Sequence, residues 1–175
     1  MASEPTPQEK ILQRILFVSA VDGWSIVVLA VLGSLASLLL GDLVGVCIGF
    51  LALAAGLMEL RGRARLKRRD AVGMKLLIRA QFFLLSVILV YCVSRLGSFD
   101  AETAMGNLTP DMDASLRELG LTRAQVLAYT RMMFYVVYSV VAVVSLLFQG
   151  GLALYYRRRI GAVSEALATP PVQPS

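Results

Sequence analysis

The chain has 175 residues, 57% of them apolar and 17% charged, with two cysteines, no histidine and a formal charge of +5. Its mean hydropathy is +0.71. A soluble domain is about 45–50% apolar and about 25% charged, so this composition leans away from water and excludes a disordered chain, while the cysteine count excludes a disulfide scaffold. What remains is an all-α integral membrane four-helix bundle, with a short external helical segment between helices 3 and 4.

A helix crossing the roughly 30 Å hydrocarbon layer needs about 20 predominantly apolar residues. Residues 1–14 read as a cytoplasmic N-terminal segment in which the first helix starts. Thr6-Pro7-Gln8-Glu9 has the form of a capping box, with Pro7 at the first helical position. The first span runs over about 15–40 and carries one charge, Asp22. Signal peptides have a shorter apolar core, about 7–15 residues, so this span reads as a retained anchor.

Ala30, Gly33, Ser37 and Gly41 form a ridge of small residues, which continues as Gly41, Gly45, Gly49, Ala52 and Gly56 in the second span, about 43–60. In lipid, helices associate by close backbone approach, so these ridges predict a tight antiparallel pair around a turn at Gly41-Asp42. Self-association through the same glycines is the competing use of the pattern. Glu59 closes the second span.

A basic loop follows over 61–75, with Arg61, Arg63, Arg65, Lys67, Arg68 and Arg69. Asp70 is positioned to cap the helix leading into the third span, about 76–96, which holds Arg79 and Gln81. The external loop, 97–131, contains a short helix expected to start at Thr109-Pro110-Asp111 and to end at Gly120 in the left-handed conformation. Ser98 to Leu108 is expected to be mobile. Thr122-Arg123-Ala124-Gln125 is a second capping box opening a helix that flows into the fourth span, about 132–156. Residues 15–159 thus form the transmembrane domain, and 160–175 read as a disordered, proline-rich cytoplasmic tail.

Lys and Arg near the spans set orientation. Thirteen lie on the side shared by both tails and the 61–75 connection, including Arg157, Arg158 and Arg159, and four lie on the other. Both termini are therefore expected in the cytoplasm of a bacterial inner membrane. The same bases predict contact with anionic phospholipid headgroups. No aromatic residues interleave them, which argues against nucleic acid.

An ionisable group at membrane depth costs about 2.5–3.5 kcal/mol at the helix centre and is a functional hypothesis by default. Asp22 lies about six residues, roughly 9 Å, past the start of the apolar stretch. Gln149 falls at a similar depth, Arg79 and Gln81 slightly shallower, and Glu59 at the end of its helix. These five predict a polar layer in the cytoplasmic third, with Asp22 paired to Arg79 or hydrogen-bonded to Gln149. One acid on the first of four helices resembles the layout of small multidrug transporters in that single feature; here the acid is Asp and sits close to an interface.

No active-site or metal-binding pattern is present, and no cofactor is expected: histidine is absent, Cys47 and Cys92 belong to no C-x-x-C pair, and the external acids lack calcium-loop spacing. Two functions fit. One is a non-enzymatic accessory or scaffolding membrane protein acting through helix packing, with itself or another membrane protein as partner. The other is a small transporter or channel subunit in which Asp22 is an ion- or proton-linked carboxylate. A reporter fused after Ser175 is expected to be active only as a cytoplasmic fusion; activity on the periplasmic face reverses the orientation.

Overall fold

The structure, a computed structural model, describes residues 6–101, 106, 112, 115, 116, 118, 120 and 122–168. It is all-α: α1 (Pro7–Leu39), α2 (Leu43–Lys67), α3 (Val72–Leu96) and α4 (Arg123–Ala168), with no strand among the described residues. All four helices are long and apolar enough to cross a membrane. At about 1.5 Å per residue the 46 residues of α4 extend about 69 Å, more than twice the roughly 30 Å hydrocarbon layer.

The helix ends follow local chemistry. The Thr6 box closes as expected: the Glu9 amide donates to Thr6 Oγ1 at 3.2 Å and the Thr6 amide to Glu9 Oε2 at 2.9 Å. At the other end of α1, Gly41 adopts φ +71°, and the Asp42 amide reaches back to the Ser37 carbonyl at 2.8 Å. This left-handed closure satisfies carbonyls that the helix leaves open. Asp42 then caps α2, accepting from the Gly45 amide at 3.1 Å. The α2 end repeats the closure with Arg69 at φ 60°, the Asp70 amide donating to the Arg65 carbonyl at 3.0 Å. Asp70 Oδ1 in turn accepts from the Val72 amide at 2.9 Å and starts α3.

Two sequence expectations change here. The basic stretch through Lys67 is the last two turns of α2 rather than a loop, because Arg, Ala, Leu and Lys are strong helix formers that outweigh the lone Gly62. The connection shrinks to residues 68–71. The tail is also helical as far as Ala168, since Val163 and Ala166 fall on one face and are buried. Val163 joins Ile15, Leu66, Met74, Leu77 and Tyr156 in one apolar cluster, which gives that last stretch a partner. Residues 169–175 lie outside the described residues.

The chain divides into two compact units, Met1–Ile88 with Ser145–Ser175, and Leu89–Val144. In the first, α1 and α2 are antiparallel and in close contact. A Cβ on Gly49 would fall on the Ser34 hydroxyl and 3.2 Å from the Ala30 carbonyl; one on Gly56 would lie 3.0 Å from Ile26 and Val27. Gly45 packs likewise on Ser37, while Gly33 has open space and is exposed. The α1 side of the seam is therefore Gly23, Ala30, Ser34 and Ser37, which keeps Ala30 and Ser37 of the expected ridge and puts Ser34 in the place of Gly33. The cause is the stagger of α1, whose buried positions are Ile15, Ser19, Asp22, Ile26 and Ala30.

The second unit is tied by aromatic contacts. Tyr91 meets Tyr138 edge-on at 5.9 Å, Phe134 lies 4.7 Å from Tyr138, and the Arg95 guanidinium sits 5.2 Å from the Tyr91 ring. The second capping box forms, with the Thr122 amide 2.9 Å from Gln125 Oε1 and the Gln125 amide 3.3 Å from Thr122 Oγ1. Gly120 takes φ +69°. The expected helix start at Thr109-Pro110-Asp111 and the stretch 102–105 lie outside the described residues.

Gly49→Leu is expected to destabilise the protein by about 1–3 kcal/mol through overpacking, whereas Gly33→Leu should stay within about 0.5 kcal/mol of wild type. Equilibrium unfolding in mixed micelles measures both; equal effects would show that the two glycines do not differ in packing.

Candidate functional site

The buried face of each helix in the first unit contributes a polar side chain to one site. On α1 it is Asp22, flanked by Ser19 and Ile26; on α2 it is Glu59, between Gly56 and Gly62. On α3 the buried positions Leu77, Gln81 and Leu84 follow one another at helical spacing, and on α4 Gln149, Ala153 and Tyr156 do the same. Exposure is 8% for Asp22, 1% for Gln81 and zero for Glu59 and Tyr156.

These side chains meet. Gln81 Nε2 donates to Asp22 Oδ2 at 2.7 Å and to Glu59 Oε2 at 2.9 Å, so both protons of one amide are spent on two carboxyls from two helices. The Tyr156 hydroxyl donates to Glu59 Oε1 at 3.0 Å. The carboxyls of Asp22 and Glu59 therefore lie side by side, both bonded to the same nitrogen. The chain Asp22–Gln81–Glu59–Tyr156 therefore takes one residue from each of the four helices.

Two buried acceptors are left over. Gln81 Oε1 and Gln149 Oε1 have no hydrogen-bond partner among the described residues. The orientation of the Gln81 amide is fixed by its neighbours: reversing it would aim its oxygen at two carboxyls and lose both bonds. Among the described residues neither Asp22 nor Glu59 has a Lys or Arg partner, and the ion pair Arg65 to Asp70, at 3.7 Å, is half-exposed.

The chemistry of this arrangement follows from its donors and acceptors. An ionised carboxyl only accepts hydrogen bonds, so two of them touch favourably only when a proton lies on one. Like charges at such a separation, taken out of water and without a cation, do not both persist. Such an arrangement can hold one proton between the two carboxyls, with the amide of Gln81 and the hydroxyl of Tyr156 as its other donors.

Of the expected layer, Asp22, Glu59 and Gln81 come together. Gln149 is buried but is not a partner of Asp22, and Arg79 is exposed. Arg79 and Gln81 are two residues apart and so point to different faces of α3, and the face with Leu77 and Leu84 takes the amide inward. Tyr156, the last residue of the expected fourth span, is a full member of the site. Its spacing of seven from Gln149, two helical turns on one face, is the sequence signal for it.

Arg63 is the other unexpected element. Its Nε donates to the Leu16 carbonyl at 2.9 Å, across from α2 to α1. The same carbonyl accepts from the Ser19 hydroxyl at 3.4 Å. The remaining bases of the run, Arg61, Arg65, Lys67, Arg68 and Arg69, are exposed, as are Arg157, Arg158 and Arg159. Among the described residues no cluster of three or more metal-ligating side chains occurs. Both cysteines are free, Cys47 exposed and Cys92 buried.

Comparison with known protein families, with curated proteins and with solved structures finds no match.

Removing the shared donor should be costly. Gln81→Leu strands two buried acceptors at about 1–3 kcal/mol each, while Tyr156→Phe should cost about 1–2 kcal/mol by losing one bond. Unfolding midpoints of the two variants test the order, and a Tyr156→Phe, Glu59→Gln double-mutant cycle should show that the two losses do not add.

Proposed function

We propose that this chain is a non-enzymatic multi-pass membrane protein, a small transporter or channel subunit whose Asp22–Glu59 pair takes up and releases one proton. One observation carries the reading: two buried carboxyls side by side, bridged by Gln81 and with no Lys or Arg partner among the described residues. An intramembrane acid without a counter-ion is a functional group by default. Glu59 strengthens the case, because a lone Asp22 near an interface would be wetted from the cytoplasmic side, whereas the pair is closed off by Tyr156.

In this reading the site lies in the cytoplasmic third of a bacterial inner membrane, with both termini in the cytoplasm. The exposed arginines of α2 and Arg157, Arg158 and Arg159 of α4 lie at the headgroups, where each base near an anionic surface contributes about 1 kcal/mol. Arg159, 6.0 Å from the ring of Tyr155, marks the same level.

A second reading is an accessory or scaffolding protein acting through helix packing. It is favoured by the fact that the polar chain touches all four helices, since a network that fixes register needs the same connectivity.

Infrared difference spectra in nanodiscs separate the two. In the proton-linked protein a protonated-carboxyl stretch is present at neutral pH, disappears as pH rises, and is removed by Asp22→Asn and by Glu59→Gln. Proteoliposomes carrying wild type should also acidify under an inward proton gradient, with the rate reduced at least tenfold in either variant. A well-folded wild type with no such band and no flux leaves the scaffold.

A further inference from the structure

Arg63 is the one half-buried base in an otherwise exposed basic run. It lies four residues after Glu59 on α2, hence on the same face and about 6 Å toward the cytoplasmic end. The antiparallel seam, in which Gly23 faces Glu59 and Leu60, places Arg63 level with Leu16 and Ser19, one turn below Asp22. Only its Nε is engaged; its two terminal nitrogens have no partner among the described residues. A guanidinium with free N–H groups thus stands one turn from a carboxyl pair that has no Lys or Arg partner among the described residues.

Its anchor is also replaceable. The Leu16 carbonyl accepts from Ser19 Oγ as well, so it keeps a side-chain donor when Arg63 leaves. The groups facing the pair are Asp22 and Ser19 on α1, Glu59 and Arg63 on α2, Gln81 on α3 and Tyr156 on α4; Lys75 and Arg79 of α3 are exposed. Arg61 of α2 is nearer to Glu59 in sequence, but at a spacing of two it lies on another face of the helix and is exposed.

We propose that Arg63 is the movable counter-charge of the Asp22–Glu59 pair. With the shared proton in place it rests on the Leu16 carbonyl. When the proton leaves toward the cytoplasmic side, an O–H bond breaks, the pair passes from one negative charge to two, and the Arg63 guanidinium turns up to Glu59. Arg63 remains protonated throughout. It is a positioning residue that sets when the proton can leave, and it gives the site a cytoplasmic entrance.

This rests on the proton-holding reading, and the test separates them. The protonated-carboxyl stretch, assigned with Asp22→Asn and Glu59→Gln, is followed against pH in nanodiscs for wild type, Arg63→Gln and Arg63→Lys. In Arg63→Gln the band should persist at least one pH unit higher, a tenfold change in proton affinity. Arg63→Lys, which keeps the charge, should return it to within a few tenths of a unit. Solid-state NMR on wild type needs no variant: the contact between Arg63 Nε and the Leu16 carbonyl should be present below the midpoint and lost above it. A shared midpoint for wild type and Arg63→Gln, or a contact unchanged across the titration, overturns the role of Arg63 alone. Absence of the band in wild type overturns the proton-holding reading and this one with it.

Discussion

The structure of the first unit turns on one amide. Gln81 offers two N–H groups at a fixed angle, and each ends on a carboxyl from a different helix, at 2.7 and 2.9 Å. Few side chains can do this. A lysine would bring a charge and a longer, flexible stem, and a serine has one proton to give. Because the amide is rigid, the positions of Asp22 and Glu59 are set relative to α3, and through Tyr156 relative to α4. A slide of one residue along any of these helices would move its group by about 1.5 Å and rotate it about 100°, breaking the bond. Polar contacts therefore specify a register that apolar side chains in an apolar surrounding specify poorly.

The carboxyls can meet only because the backbones around them come close. Gly23 lies against Leu60 and Glu59, Gly56 against Ile26, Val27 and the Gly23 carbonyl. Near the α2–α3 connection the approach of those two helices is equally narrow, with a Cβ on Gly73 lying 2.5 Å from the Gly62 carbonyl. Below the pair, Ile15, Leu66, Met74, Leu77 and Val163 close off the site together with the ring of Tyr156. Above it, Ile26, Ala55 and Leu84 do the same. The polar chain is thus enclosed between two apolar layers, and each unmade bond within it carries the full cost of a buried polar group.

Much of this was legible in the sequence, and the parts that were not have physical causes. The four helices, both capping boxes and the Gly41 turn follow from apolar length and local hydrogen bonding, which act within a few residues. Asp22, Glu59 and Gln81 stood out because polar groups in apolar stretches are costly. Their partners did not. Charge suggested Arg79 for Asp22, but which face a residue occupies is decided by the rest of its helix, and Leu77 and Leu84 turn Gln81 inward and leave Arg79 outside. Gly33 failed for a similar reason: small-residue spacing has more than one solution on α1, and Asp22 with Ile26 and Ala30 selects the one that passes through Ser34. The helix beyond Arg159 was hidden because its stability comes from docking on Ile15 and Leu66, far away in sequence.

The donors of this network are all committed. Both hydrogens of the Gln81 amide and the hydrogen of the Tyr156 hydroxyl are directed at carboxyl oxygens. A bond between the two carboxyls therefore has no donor except a proton of their own, since an ionised carboxyl only accepts. That is where the two proposed readings part. A scaffold requires only that Gln81 and Tyr156 hold the four helices in register, whereas a proton-linked site requires in addition that such a proton come and go and that a positive charge answer it. The proposed charge, Arg63, is held by one bond to the Leu16 carbonyl, which keeps the Ser19 hydroxyl as a second donor. Register is common to both readings, and exchange of a proton is what divides them.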